Sequence, residues 1–119
     1  MKIQTKRIYD EPAESDGRRV LVDRLWPRGL SREKARIDHW IRDVAPSDEL
    51  RKWFGHDPAR WDAFKQRYFE ELDKNDAVDE LLAAIKGEDV TFLFSAKDVE
   101  HNNAVALREY IERRARAGA

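Results

Sequence analysis

The sequence contains no cysteine among its 119 residues. That absence excludes disulfide bonds, thiol catalysis, iron–sulfur clusters and zinc sites built on cysteine. The chain also has no apolar run long enough to cross a bilayer, and its first ten residues lack the apolar segment of a secretion signal. We therefore expect a soluble, cytoplasmic protein that makes no membrane contact.

Histidine and glycine are also scarce, with three and five residues respectively. No two histidines have the H-x-x-x-H spacing of a metal site, and no glycine belongs to a phosphate-binding loop, a dinucleotide fingerprint or a nucleophile elbow. Asp57, beside His56, has a sufficient role as a helix cap. The sequence therefore predicts no metal site and no cofactor.

Positive and negative charges are nearly equal in number: the sequence has 23 basic and 24 acidic residues, for a net charge of -1. This balance excludes a strongly polybasic or polyacidic protein. Four tryptophans, three tyrosines and five phenylalanines provide enough apolar surface for a core. The length suits one domain, which we expect to span residues 1–119.

Three segments have the pattern of β-strands. Residues 90–95 form a continuous apolar run, which is typical of a strand covered on both faces in a parallel sheet. Residues 19–25 have an apolar, β-branched centre and end before Pro27. Residues 2–8 are more polar and predict a weaker strand at an edge of the sheet.

The middle and the end of the chain follow helical patterns. Four residues are predicted N-caps: Ser31, Ser47, Asp57 and Asp76. The longest helix has apolar residues at steps of three and four, so that they share one face: Trp61, Phe64, Tyr68 and Leu72. A last helix is predicted from about Asn103.

The order of these elements is strand, strand, several helices, strand, helix. A helical crossover of this length is what brings a later strand parallel to an earlier one. We therefore predict an α/β fold with a small, at least partly parallel sheet of about three strands flanked by helices. The helical insert lies between the second and the last strand.

Polar residues directly follow two of the predicted strands. Ligands of parallel sheets bind beyond the carboxyl ends of the strands, so residues 23–29 and 95–103 are expected to meet at one site. The predicted ligand-binding residues are Arg24, Trp26, Arg28, Ser95, Lys97, Asn102 and Asn103. Arginine suits bidentate pairing with phosphate or carboxylate. His101 and Asp98 are the candidate catalytic residues, for proton transfer.

Several of these residues are equally compatible with a purely structural role. Arg24 suits an ion pair with Asp23, Asp98 or another carboxylate at the strand end, and Trp26 suits a packing corner beside Pro27. Asn102 or Asn103 is expected to cap the last helix. The sequence leaves these alternatives open.

Three blocks make the sequence similar to a known family. They are VLVDRLWPRGLSRE (residues 20–33), LRKWFGHDPARWDAFKQRYFEEL (residues 50–72) and FLFSAKDVEHNNAVALREYI (residues 92–111). Together they resemble the domain-of-unknown-function 488 family, YeaO-like branch, over nearly the whole chain. The resemblance implies a small α/β domain of bacteria and archaea with no established activity.

The same resemblance exposes a departure from the family pattern. In the broader family the segment after the last strand looks like Cys-Ala-Glu-Lys followed by Cys-His-Arg. Here the matching stretch reads Ser95-Ala96-Lys97-Asp98 and then His101-Asn102-Asn103. The thiols of that pattern are missing, so the resemblance implies no cysteine-based chemistry for this chain.

Three functions are compatible with the sequence. The leading hypothesis is a domain that binds an anionic small ligand, phosphorylated or nucleotide-like, at the carboxyl ends of its strands, either as a binding protein or as an enzyme. The second is a nucleic-acid-binding module with Trp26 as a stacking surface. The third is a non-catalytic protein-interaction domain, monomeric or homodimeric, that uses the aromatic layer around Trp53 and Trp61.

Overall fold

A computed structural model describes residues 2–117 and contains one parallel sheet. Its strands are β1 (Ile3–Arg7), β2 (Arg18–Leu21), β3 (His39–Trp40) and β4 (Val90–Phe94). They lie in the order β1-β4-β2-β3, and each neighbouring pair is parallel. The predicted α/β fold is confirmed, but the predicted count of about three strands is wrong because the sheet has four.

The additional strand, β3, has only two residues, which is too short for a period-two pattern to show in the sequence. It pairs with the end of β2, and just beyond it the Ile41 N–H donates to the Leu21 carbonyl at 3.0 Å. The second strand is also shorter than predicted, because the chain leaves the sheet soon after Leu21. β1 lies at an edge of the sheet, as its polar sequence predicts.

Five α-helices occur in residues 2–117. They are α1 (Arg32–Ala35), α2 (Asp48–Phe54), α3 (Trp61–Asp73), α4 (Ala77–Ile85) and α5 (Asn103–Ala117). None of them combines the length and the apolar character that crossing a membrane requires.

Three of the four predicted caps accept a backbone N–H. The Ser31 and Ser47 hydroxyls cap α1 and α2, and Asp57 caps a 3₁₀ turn (Pro58–Arg60) that leads into α3. The prediction for Asp76 is wrong, because its side chain makes no capping bond. Instead the Asn75 side-chain oxygen accepts from the Ala77 N–H at 2.9 Å.

The two faces of the sheet are covered differently. One face carries the main core, in which Val20, Phe92 and Phe94 pack against side chains of α2, α3, α4 and α5. On the other face Leu21 and Leu93 are covered by α1 and by the chain between β2 and β3, which contributes Trp26 and Ala35. The long helices thus cover one face of the sheet, and α1 with its flanking loops covers the other.

A buried ionic cluster lies near the amino ends of β2 and β4, and we call it the amino-end cluster: Lys6, Asp16, Arg19 and Thr91. The Arg19 guanidinium donates to the Asp16 carboxylate at 2.5 Å and to the Ala35 carbonyl at 2.8 Å. Lys6 donates to the same carboxylate at 3.1 Å, and the Thr91 hydroxyl donates to the Asp16 carbonyl at 2.7 Å. Asp16 and Arg19 are only 4% and 5% exposed, so their ion pair belongs to the core, whereas Lys6 reaches it from a partly exposed position.

Gly17 holds the loop beside this cluster in a conformation that other residues rarely adopt. Its φ is +63°, and a Cβ at this position would lie 2.3 Å from the Asp89 carbonyl oxygen. The close approach exists because Arg18 N–H donates to that same carbonyl at 2.9 Å. A glycine is therefore required where the loop enters β2.

Candidate functional site

A pocket of about 450 Å³ opens at the carboxyl ends of β2 and β4, and we call it the carboxyl-edge pocket. It is bounded by the loop after β2, the segment after β4 and the chain around α2. Its polar lining consists of Asp23, Arg24, Arg28, Arg51, His56, Ser95, His101, Asn102 and Asn103. Its apolar lining includes Tyr9, Leu25, Trp26, Pro27, Pro46, Phe54 and Phe64.

Asp23 joins the two strand ends beneath the pocket. One of its carboxylate oxygens accepts from both the N–H and the hydroxyl of Ser95, at 2.9 and 2.8 Å. The other accepts from the Asn103 side-chain amide at 3.1 Å. A single carboxylate therefore fixes the end of β4 and the start of α5 against the end of β2.

The two asparagines at the start of α5 have separate roles. The Asn102 side-chain oxygen accepts from the Val105 N–H at 3.0 Å, so Asn102 is the helix cap. Asn103 instead donates to the Val22 carbonyl and to Asp23, both at 3.1 Å. Of the two alternatives left open by the sequence, the cap is Asn102, and Asn103 connects the helix to β2.

Arg24 pairs with neither Asp23 nor Asp98, and its only carboxylate contacts within residues 2–117 are long ones. Its guanidinium donates to the carbonyls of Ala45 and Pro46 at 3.3 and 3.4 Å. The carboxylates closest to it are those of Asp43 and Asp48, at 3.9 and 4.0 Å. Its Nε is buried without a hydrogen-bond partner, so this arginine is positioned by backbone carbonyls rather than neutralised by a close carboxylate.

The other two arginines of the pocket lie on its exposed rim. Arg51 has one surface partner, Asp48, at 3.4 Å. Arg28 makes no ion pair within residues 2–117, although its carbonyl accepts from the Tyr9 hydroxyl at 2.9 Å. The rim therefore carries positive charge whose donors remain accessible to a ligand.

Trp26 both lines the pocket and packs against its neighbours. Its indole N–H donates to the Leu30 carbonyl at 2.7 Å, and its ring contacts Trp40 edge-on at 5.4 Å between centroids. The Arg32 guanidinium lies 4.6 Å from the Trp26 ring centroid, a cation–π contact. Trp26 is thus the packing corner that the sequence suggested, with one surface turned to the pocket.

His101 is held by a carboxylate and by an aromatic ring. Its Nδ1 donates to Asp98 at 2.9 Å, and its ring meets Trp61 edge-on at 5.4 Å between centroids. The backbone N–H of Glu100 and the His101 side chain lower the pKa of Asp98, so the carboxylate is ionised at neutral pH. The pair fixes the orientation of an imidazole that lines the pocket.

The structure brings together seven of the nine residues proposed from the sequence. Asp98 and Lys97 do not line the pocket, since Asp98 lies behind His101 and Lys97 is exposed on the same loop. Sequence reasoning gave Asp23 no role beyond that of a partner for Arg24, although its position directly after β2 was a usable signal. Arg51 and His56 were missed because nothing in a helical segment indicates that its end reaches the strand ends.

Within residues 2–117, no group of three or more histidine, aspartate or glutamate side chains is placed to hold a metal ion. The donor set of the pocket is dominated by guanidinium groups, which repel cations. Its chemistry is therefore suited to anions.

Comparison with known proteins identifies the family. Residues 2–119 match the family model described as "Inactive DUF488-N3 subclade". The chain is 40% identical to the uncharacterized protein YeaO of Escherichia coli K12 over 112 residues, which cover 93% of this chain and 97% of YeaO. It is 38% identical to the uncharacterized protein Rv3073c of Mycobacterium tuberculosis H37Rv over 113 residues, covering 95% of this chain and 96% of that protein. No solved structure matches the chain. The chain belongs to the DUF488 family and is similar to YeaO.

Proposed function

We propose that this protein is a cytoplasmic, non-catalytic domain that binds a small anionic ligand in the carboxyl-edge pocket. The observation that carries the proposal is the charge of the lining, where three arginines face one carboxylate, Asp23. Both oxygens of that carboxylate already accept hydrogen bonds from Ser95 and Asn103. A phosphate or carboxylate entering the pocket thus meets three guanidinium groups and a single carboxylate, whose oxygens are already held by neutral donors.

Two observations favour binding without turnover. The hydroxyl of Ser95 donates to the Asp23 carboxylate and, within residues 2–117, forms no hydrogen bond with His101, so no serine–histidine pair is assembled in the pocket. The family model that matches the chain is itself described as inactive. We assign Asp98 the role of orienting the His101 imidazole, which forms part of the pocket wall.

The proposal is tested by isothermal titration with inorganic phosphate, phenyl phosphate and adenosine monophosphate at fixed ionic strength. We expect at least one of these anions to bind, and Arg28→Gln and Arg51→Gln each to weaken its binding by at least about tenfold. That factor follows from one charge-assisted hydrogen bond, which contributes about 1.5–3 kcal/mol. The melting temperature should stay nearly constant, because both side chains are exposed.

Lys52→Gln is the matched control, because Lys52 is exposed on α2 beside Arg51 and does not line the pocket. It should leave the affinity unchanged. Equal weakening by all three variants would indicate a general electrostatic effect and contradict a built site. Absence of binding by every anion at millimolar concentration would also contradict the proposal.

A further inference from the structure

We infer that the ligand is an amphipathic anion, with one phosphate or carboxylate head and an aromatic or aliphatic body rather than a sugar. This inference rests on the proposed function, because it concerns the part of the ligand that the arginines do not hold. It follows from two properties of the carboxyl-edge pocket. Its hydroxyl, indole and amide donors are already engaged within the protein, and much of its remaining wall is apolar.

The hydroxyl and indole donors of the pocket already have partners within the protein. The Tyr9 hydroxyl donates to the Arg28 carbonyl at 2.9 Å, and the Trp26 indole N–H donates to the Leu30 carbonyl at 2.7 Å. The Ser95 hydroxyl donates to Asp23 at 2.8 Å. None of these three groups has a proton left for a ligand.

The amides and the carboxylate are engaged as well. Both N–H groups of the Asn103 amide have partners, Val22 and Asp23. Asn102 is 3% exposed and donates to the Asp98 carbonyl while it caps α5. Asp23 already accepts three hydrogen bonds. Recognition of a sugar requires paired donors and acceptors for each hydroxyl, since unpaired polar groups cost free energy on burial.

The pocket also has apolar surface that no part of residues 2–117 covers. The large hydrophobic residues exposed in residues 2–117 are Tyr9, Leu25 and Val99, at 42%, 70% and 57%. All three lie in the segments that follow β1, β2 and β4, which end at this same edge of the sheet. Tyr9 and Leu25 line the pocket, whereas Val99 does not.

Exposed apolar residues are common singly, but their concentration around one pocket indicates a binding surface. Inside the pocket the rings of Phe54 and Phe64 continue this surface, and they stack at 4.4 Å between centroids. A ligand body that covers Leu25 and reaches these rings would remove apolar area from water. The arginines on the rim would hold the anionic head, so head and body have separate positions.

The test compares phosphate monoesters that share one head: methyl, phenyl and hexyl phosphate, and ribose 5-phosphate, each below any micelle-forming concentration. We expect phenyl and hexyl phosphate to bind at least tenfold more tightly than methyl phosphate, because each buried methylene adds roughly fourfold. Ribose 5-phosphate should bind no more tightly than methyl phosphate.

Leu25→Ser should remove most of the advantage of hexyl over methyl phosphate and leave methyl phosphate binding unchanged. Val99→Ser is the matched control, because Val99 is similarly exposed at the same edge but does not line the pocket. It should leave both affinities unchanged.

The outcomes separate this inference from the proposed function. Affinities that are equal across the series, or highest for ribose 5-phosphate, would overturn the amphipathic ligand and leave anion binding in place. Tight binding of hexyl phosphate that Leu25→Ser does not reduce would also overturn the inference, because the body would then lie elsewhere. Failure of every ester and of inorganic phosphate to bind would overturn the proposed function itself.

Discussion

The amino-end cluster and the carboxyl-edge pocket lie at opposite ends of β2, and each contains arginine and aspartate. The arginine is buried and paired in the cluster, whereas it remains accessible in the pocket. At the start of β2, the Arg19 side chain is 6% exposed and donates to Asp16 and to two backbone carbonyls. Just beyond the end of β2, the Arg24 side chain is 36% exposed and has no carboxylate closer than 3.9 Å. Each end of the strand has an arginine, but only Arg19 is buried with all its close partners inside the protein.

The difference shows how a small domain separates stability from binding. In the amino-end cluster each charged group is paired and hydrogen-bonded, which is the condition for burying charge without a large penalty. In the carboxyl-edge pocket the carboxylate is used to join structural elements, and the guanidinium groups are left accessible. The following three predictions test this contrast, from the largest expected effect to the smallest.

The first compares Arg19→Met with Arg24→Met. Removing Arg19 leaves the buried Asp16 carboxylate without its closest partner, and breaking a buried ion pair in this way costs about 3–5 kcal/mol. Removing Arg24 should cost under about 1 kcal/mol, because its contacts are long and its Nε has no partner. Urea denaturation measures both values.

A double variant, Arg19→Met with Asp16→Leu, provides the control. It replaces the pair by apolar side chains and should recover part of the lost stability, since Lys6 and the Ala13 N–H then lose the carboxylate that they share. Equal destabilisation by the two single variants would show that the ends of β2 do not differ as described.

The second prediction concerns pH and the same aspartate. Burial raises the pKa of Asp16, but the Ala13 N–H and the Lys6 and Arg19 side chains outweigh burial, so the pKa in the folded state is below the ordinary value. The charged carboxylate therefore stabilises the fold at every pH above about 3.9, the value in the unfolded chain. This contribution is lost as the pH falls through the lower, folded-state pKa.

Asp16→Asn should thus cost about 2–3 kcal/mol at pH 7 and progressively less below pH 4. Unfolding free energies measured between about pH 2.5 and 7 test this. Asp98→Asn is the comparison, because the pKa of Asp98 is also lowered but its carboxylate lies at the surface. A cost of Asp16→Asn that does not change with pH would contradict the assignment.

The third prediction separates the adjacent asparagines of the pocket. Asn102→Ala removes the cap of α5 and should lower the stability by about 1 kcal/mol, a typical value for such a cap. Asn103→Ala keeps the cap but frees one oxygen of Asp23, so it should weaken anion binding more than it lowers the melting temperature. Thermal unfolding and phosphate titration of both variants distinguish these effects; identical profiles would contradict the division of roles.

Much of the fold could be predicted from local patterns. The buried run at β4, the caps at Ser31 and Ser47 and the apolar face of α3 each depend on residues close together in sequence. The two-residue β3 could not be predicted, because it exists only through its pairing with β2. The cap at Asn75 was misassigned by one residue, since Asn75 and Asp76 are both good caps and the choice depends on the backbone.

For the site, the sequence could predict only which segments the topology brings together. Parallel strands bring their carboxyl ends together, and this rule placed the segments of Arg24 and His101 side by side. It did not reveal that Asp23 would accept a hydrogen bond from Ser95, or that Arg51 of α2 would line the pocket. Those contacts depend on how the helical layer packs against the sheet, which no local pattern encodes.

The strand order also determines when the sheet can form during synthesis. β1 and β2 each pair with β4 and not with each other, so the earlier strands lack their common neighbour until residues 90–94 have left the ribosome. Until then the nascent chain exposes strand edges that are prone to unwanted pairing. The stable sheet can therefore form only after β4 has been translated. A chain that ends before β4 should be a substrate for chaperones and proteases rather than a smaller folded domain.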